Sequence, residues 1–120
     1  MLYIGVDIEN ISRIEKSISS PRFIERVFSK KEIELFKKRK FSPKTITANF
    51  CAKEAFSKAL GTGIRGFKLC EVSVLRDELG KPYFEFDGSA AKLAENIHFQ
   101  VSLSHTADTA IAYVVGEDIS

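Results

Sequence analysis

The chain has 120 residues, of which 44% are hydrophobic and 28% charged, and its net charge is only +2. This composition is typical of one globular domain and leaves no room for a second, so we expect a single domain over residues 1–120. So short a chain buries one modest core, which places any sizeable ligand site in a surface cleft or at a subunit seam. No apolar run approaches the roughly 18 residues of a membrane span, and the opening residues lack a signal-peptide pattern. We therefore expect a cytoplasmic protein that binds no membrane.

The basic residues are concentrated in one part of the chain. Residues 13–44 contain eleven Lys or Arg against four Glu, a local balance of +7 that leaves −5 elsewhere. A segment of this charge attracts an acidic partner at long range. A solvated lysine-rich helix surface is the commoner explanation of such a run, and both interpretations stay open. Cys51 and Cys70 fit neither a disulfide framework nor a zinc spacing, so they are expected to be reduced core residues.

The first half of the chain is predicted to form one strand and several helices. Residues 2–8, LYIGVDI, predict a buried strand with Asp7 near its carboxyl end. Asn10, Ser20 before Pro21, and the capping-box sequence at Ser29 each predict the start of a short helix.

The longest helix is predicted to begin at Ser42-Pro43 and to end at Gly61, where a left-handed residue closes the helix at least cost. Its inward face carries small residues, which allows close approach to a sheet. Glu54 and Lys58 project beside this face.

The second half alternates strands and turns, with one short helix. The predicted strands cover residues 69–75, 82–86, 99–105 and 109–115. A turn at 78–81 joins the first two strands into a hairpin, and the short helix covers 89–94. Because helices and strands do not alternate regularly, the sequence predicts an α+β fold with an antiparallel sheet packed on the long central helix and several short helices.

Two carboxylates occupy positions where neither the strand nor the helix needs a charged side chain to form. Asp7 closes a buried strand and Glu54 lies on an alanine-rich helix. Converging carboxylates suit Mg²⁺, which takes few protein ligands and completes its shell with phosphates and water. The alternative is that Asp7 caps the following turn and Glu54 pairs with Lys58.

Two further motifs have weaker signals. Lys58 precedes the turn Gly61-Thr62-Gly63, and glycine amides with a lysine suit a phosphate, although a simple helix end explains the turn as well. Ser104 and His105 end a strand on opposite faces, so they do not form an activated nucleophile pair. His105 can instead bind a phosphate or orient a carboxylate, or it can simply close the strand.

Together these motifs resemble one family. The segments GVDIENISRI (5–14), FCAKEAFSKALGTG (50–63), GKPY (80–83) and SLSHT (102–106) are similar to the short, single-domain bacterial holo-[acyl-carrier-protein] synthases of the 4′-phosphopantetheinyl transferase family. The resemblance implies that fold and a Mg²⁺-dependent transfer of 4′-phosphopantetheine from coenzyme A to a serine of apo acyl carrier protein, in fatty acid biosynthesis. It also implies a homotrimer with the coenzyme between subunits.

The resemblance assigns roles to particular residues. Asp7 and Glu54 would hold the metal and, with Lys58, form the catalytic group. The coenzyme phosphates would lie near Lys58, Gly61, Thr62, Gly63, Ser104 and His105. The acidic carrier protein would meet Arg13, Arg22 and Arg26.

One position departs from the family pattern. Relatives commonly have arginine before the phenylalanine of the helix motif, where this chain has Asn49-Phe50. A positive group is therefore missing, and Lys53 and Lys44 are the candidates to replace it. Two competing functions remain: a non-catalytic coenzyme A or nucleotide binding module, and a nucleic-acid-binding domain. The latter lacks an RNP or recognition-helix pattern, so we expect no nucleic-acid partner.

Overall fold

The computed structural model describes residues 1–61 and 66–119, and its helices and antiparallel strands confirm the α+β class. A 3₁₀ turn at Leu69–Glu71 precedes the second strand, where the sequence predicted that the strand had already begun. The elements are β1 (Leu2–Asn10), α1 (Ile11–Ile18), α2 (Pro21–Val27), α3 (Lys30–Lys38), α4 (Pro43–Leu60), β2 (Val72–Arg76), β3 (Pro82–Phe86), α5 (Gly88–Leu93), β4 (Ile97–His105) and β5 (Thr109–Asp118).

Helix starts follow local side-chain chemistry. Asn10, Ser20 and Ser29 each accept a hydrogen bond from the backbone N–H three residues on, as predicted. Ser42 forms no such side-chain bond, so α4 begins on the fixed backbone of Pro43 instead. Gly61 ends α4 in the left-handed region with φ 77°.

The strands divide between two sheets. The larger has the order β1-β5-β4, and the smaller pairs β2 with β3; all neighbouring strands are antiparallel. The small hairpin is held by aromatic packing, because Phe84 and Phe86 lie 5.6 and 4.9 Å, between ring centroids, from Phe56 of α4. The long helix thus packs against both sheets, and the predicted single sheet is two.

Strand β1 lies directly against the backbone of α4. A Cβ added to Gly5 would be 1.9 Å from the Ala55 carbonyl oxygen and 2.7 Å from the Ala59 nitrogen. The helix face that receives the strand consists of small residues that are at most 7% exposed: Ala48, Cys51, Ala52, Ala55 and Ala59. This approach fixes the middle of β1 against the C-terminal half of α4.

The other side of β1 is not buried, and the prediction of a buried strand is wrong for this side. Leu2, Ile4, Val6 and Ile8 are between 47% and 63% exposed. Residues of β1 alternate between two faces, and only one face meets α4. We call the opposite side of the three-stranded sheet the outer face; its exposed apolar residues are Leu2, Ile4, Val6, Ile8, Ile111 and Tyr113.

A buried ion pair joins α3 to α4. Lys53 Nζ lies 2.5 Å from Glu32 Oε1, and both side chains are fully buried. The ammonium also donates to the carbonyls of Leu69, at 2.9 Å, and Val72. Burial lowers the pKa of Lys53 and raises the pKa of Glu32, because removal from water disfavours each charged form. The pair lies beside the second apolar cluster, formed by Ile24, Val27, Phe28, Phe36 and Ile46.

No helix within residues 1–61 and 66–119 combines the length and the apolarity that a membrane span requires.

Candidate functional site

Asp7 is a buried carboxylate with one unsatisfied oxygen. It lies on the α4 side of β1 and is 8% exposed. Its Oδ1 accepts from Lys58 Nζ at 3.1 Å, whereas its Oδ2 has no hydrogen-bond partner among the described residues. Buried polar atoms normally have partners, so the orphaned oxygen indicates a position made for a ligand. Asp7 does not cap the following turn; Asn10 does.

Glu54 faces Asp7 from α4. Burial raises the pKa of Glu54, and the negative charge of Asp7 raises it further, while Lys58 opposes the shift. The alternative interpretation, a Glu54–Lys58 pair, is wrong, because Lys58 pairs with Asp7. The Lys58 side chain is 57% exposed, so its ammonium can also reach an anionic ligand in solvent. The structure therefore brings Asp7, Glu54 and Lys58 together, as the sequence predicted.

Glu9 is a third carboxylate that sequence reasoning missed. It is half-buried on the same side of β1 as Asp7, two residues on. Burial and the charges of Asp7 and Glu54 raise the pKa of Glu9 to about 7, against the lowering effect of Arg13. The predicted strand ended at Ile8, one residue too early; the two-residue spacing from Asp7 was the signal that could have found Glu9.

The acidic group fits a cation that takes few protein ligands. No three His, Cys, Asp or Glu side chains within residues 1–61 and 66–119 form a ready-made cluster around one point. A buried, partly unsatisfied carboxylate with a second carboxylate opposite suits Mg²⁺, which keeps water and ligand oxygens in its shell. The chemistry of the donors therefore agrees with the expected metal.

Cys51 lies in the core next to this group. Its thiol donates to the Ala110 carbonyl at 3.4 Å, and burial together with the nearby charges of Asp7 and Glu9 raises its pKa to about 12. The thiol is therefore neutral and inert, and both cysteines are free, as expected.

A second group of side chains, which lines a cleft, is positively charged. A cleft of about 200 Å³ lies between α4 and the ends of β2 and β4. We call it the basic cleft; its lining residues are Arg39, Lys44, Thr45, Ala48, Arg76, Gly80, Pro82, Leu103 and His105. His105 was predicted to bind phosphate, whereas Arg76 and Arg39 were not singled out.

Ser104 and His105 face opposite ways. One row across the sheet consists of Glu9, Ala110 and His105, which are in register, and this row faces α4. Ser104 is in register with Ile111 and Ile8 on the outer face. The structure thus brings His105, but not Ser104, to the side of the carboxylates.

The remaining predicted positions lie at the periphery. Arg13, Arg22 and Arg26 are exposed on α1 and α2, and the effect of Arg13 on the pKa of Glu9 places its charge near the carboxylates. Gly61 ends α4 one turn after Lys58. Thr62 and Gly63 lie outside the described residues.

Comparison with known proteins gives the class and then the nearer relatives. A model of the 4′-phosphopantetheinyl transferase superfamily matches residues 3–114, and the chain belongs to this family. A holo-[acyl-carrier-protein] synthase of Clostridium botulinum (strain Alaska E43 / Type E3) is 52% identical over 119 residues, 97% of each chain.

Solved structures agree with this assignment. The holo-[acyl-carrier-protein] synthase of Neisseria meningitidis has a TM-score of 0.89 and 34% identity, covering 97% of this chain and 98% of that one. The Helicobacter pylori holo-[acyl-carrier-protein] synthase in complex with coenzyme A has a TM-score of 0.83 and 34% identity, covering 95% of this chain and 99% of that one. The resemblance noted in the sequence motifs is confirmed.

Proposed function

We propose that this protein is a holo-[acyl-carrier-protein] synthase: it transfers 4′-phosphopantetheine from coenzyme A to a serine of apo acyl carrier protein and releases adenosine 3′,5′-bisphosphate. The observation that carries the proposal is the buried Asp7, which has one unsatisfied oxygen, contacts Lys58 and lies close enough to Glu54 to raise its pKa. Family membership and the names of the relatives supply the reaction.

Asp7 and Glu54 would hold Mg²⁺. A divalent cation beside a pyrophosphate neutralises its oxygens and orients it for displacement. Carboxylates gathered next to phosphates without a cation would only repel them, and this disfavours a module that merely binds nucleotide. The free oxygen of Asp7 and the nearby Glu54 supply the hard donors that such an ion needs.

The reaction forms one P–O bond and breaks another. The serine oxygen attacks the β-phosphorus of the coenzyme, and the bond from this phosphorus to the bridging oxygen breaks, so the bridging oxygen leaves with the adenosine 3′,5′-bisphosphate. The serine proton passes to Glu54 or to a water molecule beside Asp7, and the raised pKa of Glu54 favours the carboxylate. Lys58 stabilises charge on the phosphoryl oxygens.

The coenzyme phosphates would extend from Lys58 and Gly61 to the basic cleft, which contains His105. The cleft lining includes Arg39, Lys44 and Arg76 and, among its described residues, no acidic side chain. Charge of one sign, concentrated in a concave site, attracts a ligand of the opposite sign.

The carrier protein would dock on α1 and α2. Arg13, Arg22 and Arg26 are exposed there, and Arg13 lies close enough to Glu9 to affect its pKa. An acidic partner bound to these arginines would thus be held next to the carboxylates. The same proposal places the enzyme in fatty acid biosynthesis in the cytoplasm, a reducing compartment that suits its two free cysteines.

The active form would be a homotrimer with the sites at its seams. The outer face exposes Leu2, Ile4, Val6 and Ile8 in one row, with Ile111 and Tyr113 beside them. A contiguous apolar surface of this kind marks an interface. Ser104 lies on the outer face, so its proposed contact with the coenzyme requires a neighbouring copy.

Intact-mass spectrometry tests the proposed activity. Purified protein incubated with coenzyme A, Mg²⁺ and an apo carrier protein is expected to add the phosphopantetheine mass to the carrier, and excess chelator is expected to stop the addition. An unmodified carrier after long incubation, with folded protein and bound coenzyme A, would instead identify a non-catalytic binding module.

A further inference from the structure

Arg76 is held in a fixed orientation at the basic cleft. It ends β2, and its Nη2 donates to Asn49 Oδ1 at 2.8 Å, while Nη1 donates to the Leu75 carbonyl at 3.3 Å. Arg76 lies at the end of its strand and lines the cleft, where Arg39, Lys44 and His105 also lie. The positive charge of Arg76 therefore adds to the positive charges of Arg39 and Lys44 in the same cleft.

Within the described part of the chain, no carboxylate forms an ion pair with this group of cations. None of the ion pairs formed within residues 1–61 and 66–119 includes Arg39, Lys44 or Arg76. Glu32 lies behind Asn49, but its charge is already paired with Lys53. Partial burial and the charge of Arg39 lower the pKa of Arg76 to about 10, which still leaves it charged at neutral pH.

Asn49 is the residue that positions Arg76. It is completely buried on α4, and its Nδ2 donates to Glu32 Oε2 and to the Val74 carbonyl, each at 2.9 Å. These two bonds use both hydrogens of the amide nitrogen, and the carboxamide oxygen is left to accept from Arg76. A bond network of this kind permits only one orientation of the amide.

The same position departs from the family pattern, in which an arginine precedes the phenylalanine of the helix motif. Lys53, one candidate replacement, is buried in the ion pair with Glu32 and does not reach the cleft. Lys44 lines the cleft, but so does Arg76, which approaches position 49 from a different element. The missing helix charge is therefore matched by a strand charge that contacts the substituted residue itself.

We propose that Arg76, positioned by Asn49, supplies from β2 the positive charge that is missing at position 49 of α4, and binds a phosphate monoester of the coenzyme in the basic cleft. The proposal rests on the proposed function. A planar guanidinium with a fixed orientation binds two oxygens of one phosphate, which a mobile lysine does less specifically. The carboxylates near Lys58 suit the metal-bound pyrophosphate, so the cleft without carboxylates suits the separate, doubly charged monoester.

Calorimetric titration with two ligands tests this assignment. Coenzyme A and dephospho-coenzyme A differ only in the 3′-phosphate. Arg76→Met is expected to weaken coenzyme A binding by about ten- to a hundredfold, the usual loss for a hydrogen bond to a charged group. Dephospho-coenzyme A is expected to change by less than about twofold, because it lacks the group that Arg76 binds. Lys92→Met, which removes an exposed charge from α5, is the matched control.

Two further variants test the relation between positions 49 and 76. Asn49→Ala is expected to reduce the preference for coenzyme A over dephospho-coenzyme A, whereas a purely structural asparagine would lower the melting temperature and leave this preference unchanged. The double substitution Asn49→Arg with Arg76→Asn, which returns the charge to α4, is expected to recover much of the affinity that Arg76→Met loses.

The possible failures are distinguishable. If Arg76→Met binds coenzyme A as tightly as the unmodified protein, or weakens both ligands equally, the assignment of Arg76 is overturned and the transferase function stands. If the double variant folds but binds coenzyme A no more tightly than Arg76→Met does, the inference that Arg76 replaces a charge at position 49 is overturned. If the unmodified protein binds neither ligand, the proposed function itself fails.

Discussion

Glu54 is the residue on which the proposed chemistry depends most directly. It lies on a rigid helix, is partly buried, and its pKa is raised by burial and by Asp7. A carboxylate in this environment can bind a cation or accept a proton, and its amide analogue can do neither well. Because glutamine has nearly the same shape, the substitution separates chemistry from packing.

Glu54→Gln is therefore expected to lower turnover by about 10²- to 10⁴-fold while the fold is preserved. Rates of carrier modification measured by mass spectrometry, with circular dichroism for the fold, check this expectation. Glu95→Gln, at an exposed position, is the control. A fully active Glu54→Gln variant would contradict the role given to this carboxylate.

Lys53 belongs to the same helix motif but has a structural role. Its ammonium is fully buried against Glu32 and backbone carbonyls. Removing one partner of a buried pair leaves the other charge without compensation, so Lys53→Met is expected to cost about 3–5 kcal/mol of unfolding free energy. Urea denaturation, with Lys92→Met as control, measures this loss.

The pH dependence of the loss has a definite sign. Burial raises the pKa of Glu32 in the folded state, and without Lys53 the rise is larger. The folded variant then binds more protons than the unfolded chain, so its stability increases as pH falls through the folded-state pKa. The difference in unfolding free energy between Lys53→Met and the control should therefore become smaller below neutral pH. A gap that widens on acidification would show that Glu32 is not left buried and unpaired.

Among the elements, the contact between β1 and α4 is the one that places Asp7 opposite Glu54. It depends on the absence of a side chain at Gly5, where a Cβ would overlap the Ala55 carbonyl. Gly5→Ala is expected to cost about 3 kcal/mol or more, because neither backbone can move without shifting its whole element. Thermal unfolding measures the loss.

Gly80→Ala provides the comparison. Its Cβ would meet no atom within 4 Å, and only its φ of 85° opposes the substitution. A left-handed residue costs about 1–2 kcal/mol, so this variant should remain the more stable of the two. Equal losses would mean that strand β1 does not lie as close to α4 as the structure indicates.

How far the sequence predicts these elements depends on how local each signal is. The caps at Asn10, Ser20 and Ser29 and the end at Gly61 were predicted correctly, because each depends on neighbouring residues. The division of the strands into two sheets was not, because it depends on the packing of the β2–β3 hairpin against Phe56.

The site shows the same limit. Asp7, Glu54 and Lys58 were found because motifs contain them, whereas Arg76 belongs to no motif and reaches the basic cleft through a contact with Asn49, 27 residues away in the chain. The exposure of Leu2 and Ile8 also had no local signal, because a strand with one uncovered face has the same composition as a buried one.

At the scale of the whole molecule, the outer face determines the proposed assembly. Light scattering is expected to give about three times the chain mass of 13.4 kDa. Ile4→Glu places a charge in the middle of this face, and burying an unpaired charge is unfavourable, so a single-chain mass is expected. Leu79→Glu is the control, since Leu79 is 95% exposed at the hairpin tip. A wild-type protein that is monomeric at all concentrations would contradict the proposed trimer and its sites between subunits.

The exposed apolar row of β1 also bears on how the enzyme responds to its own concentration. When a strand face is covered only by other copies, its burial follows the law of mass action. If each site needs two neighbouring chains, activity per chain should fall when the enzyme is diluted below its dissociation constant and should return when it is concentrated again. The total activity in a cell would then rise more steeply than the amount of enzyme, because a higher concentration also raises the activity of each chain.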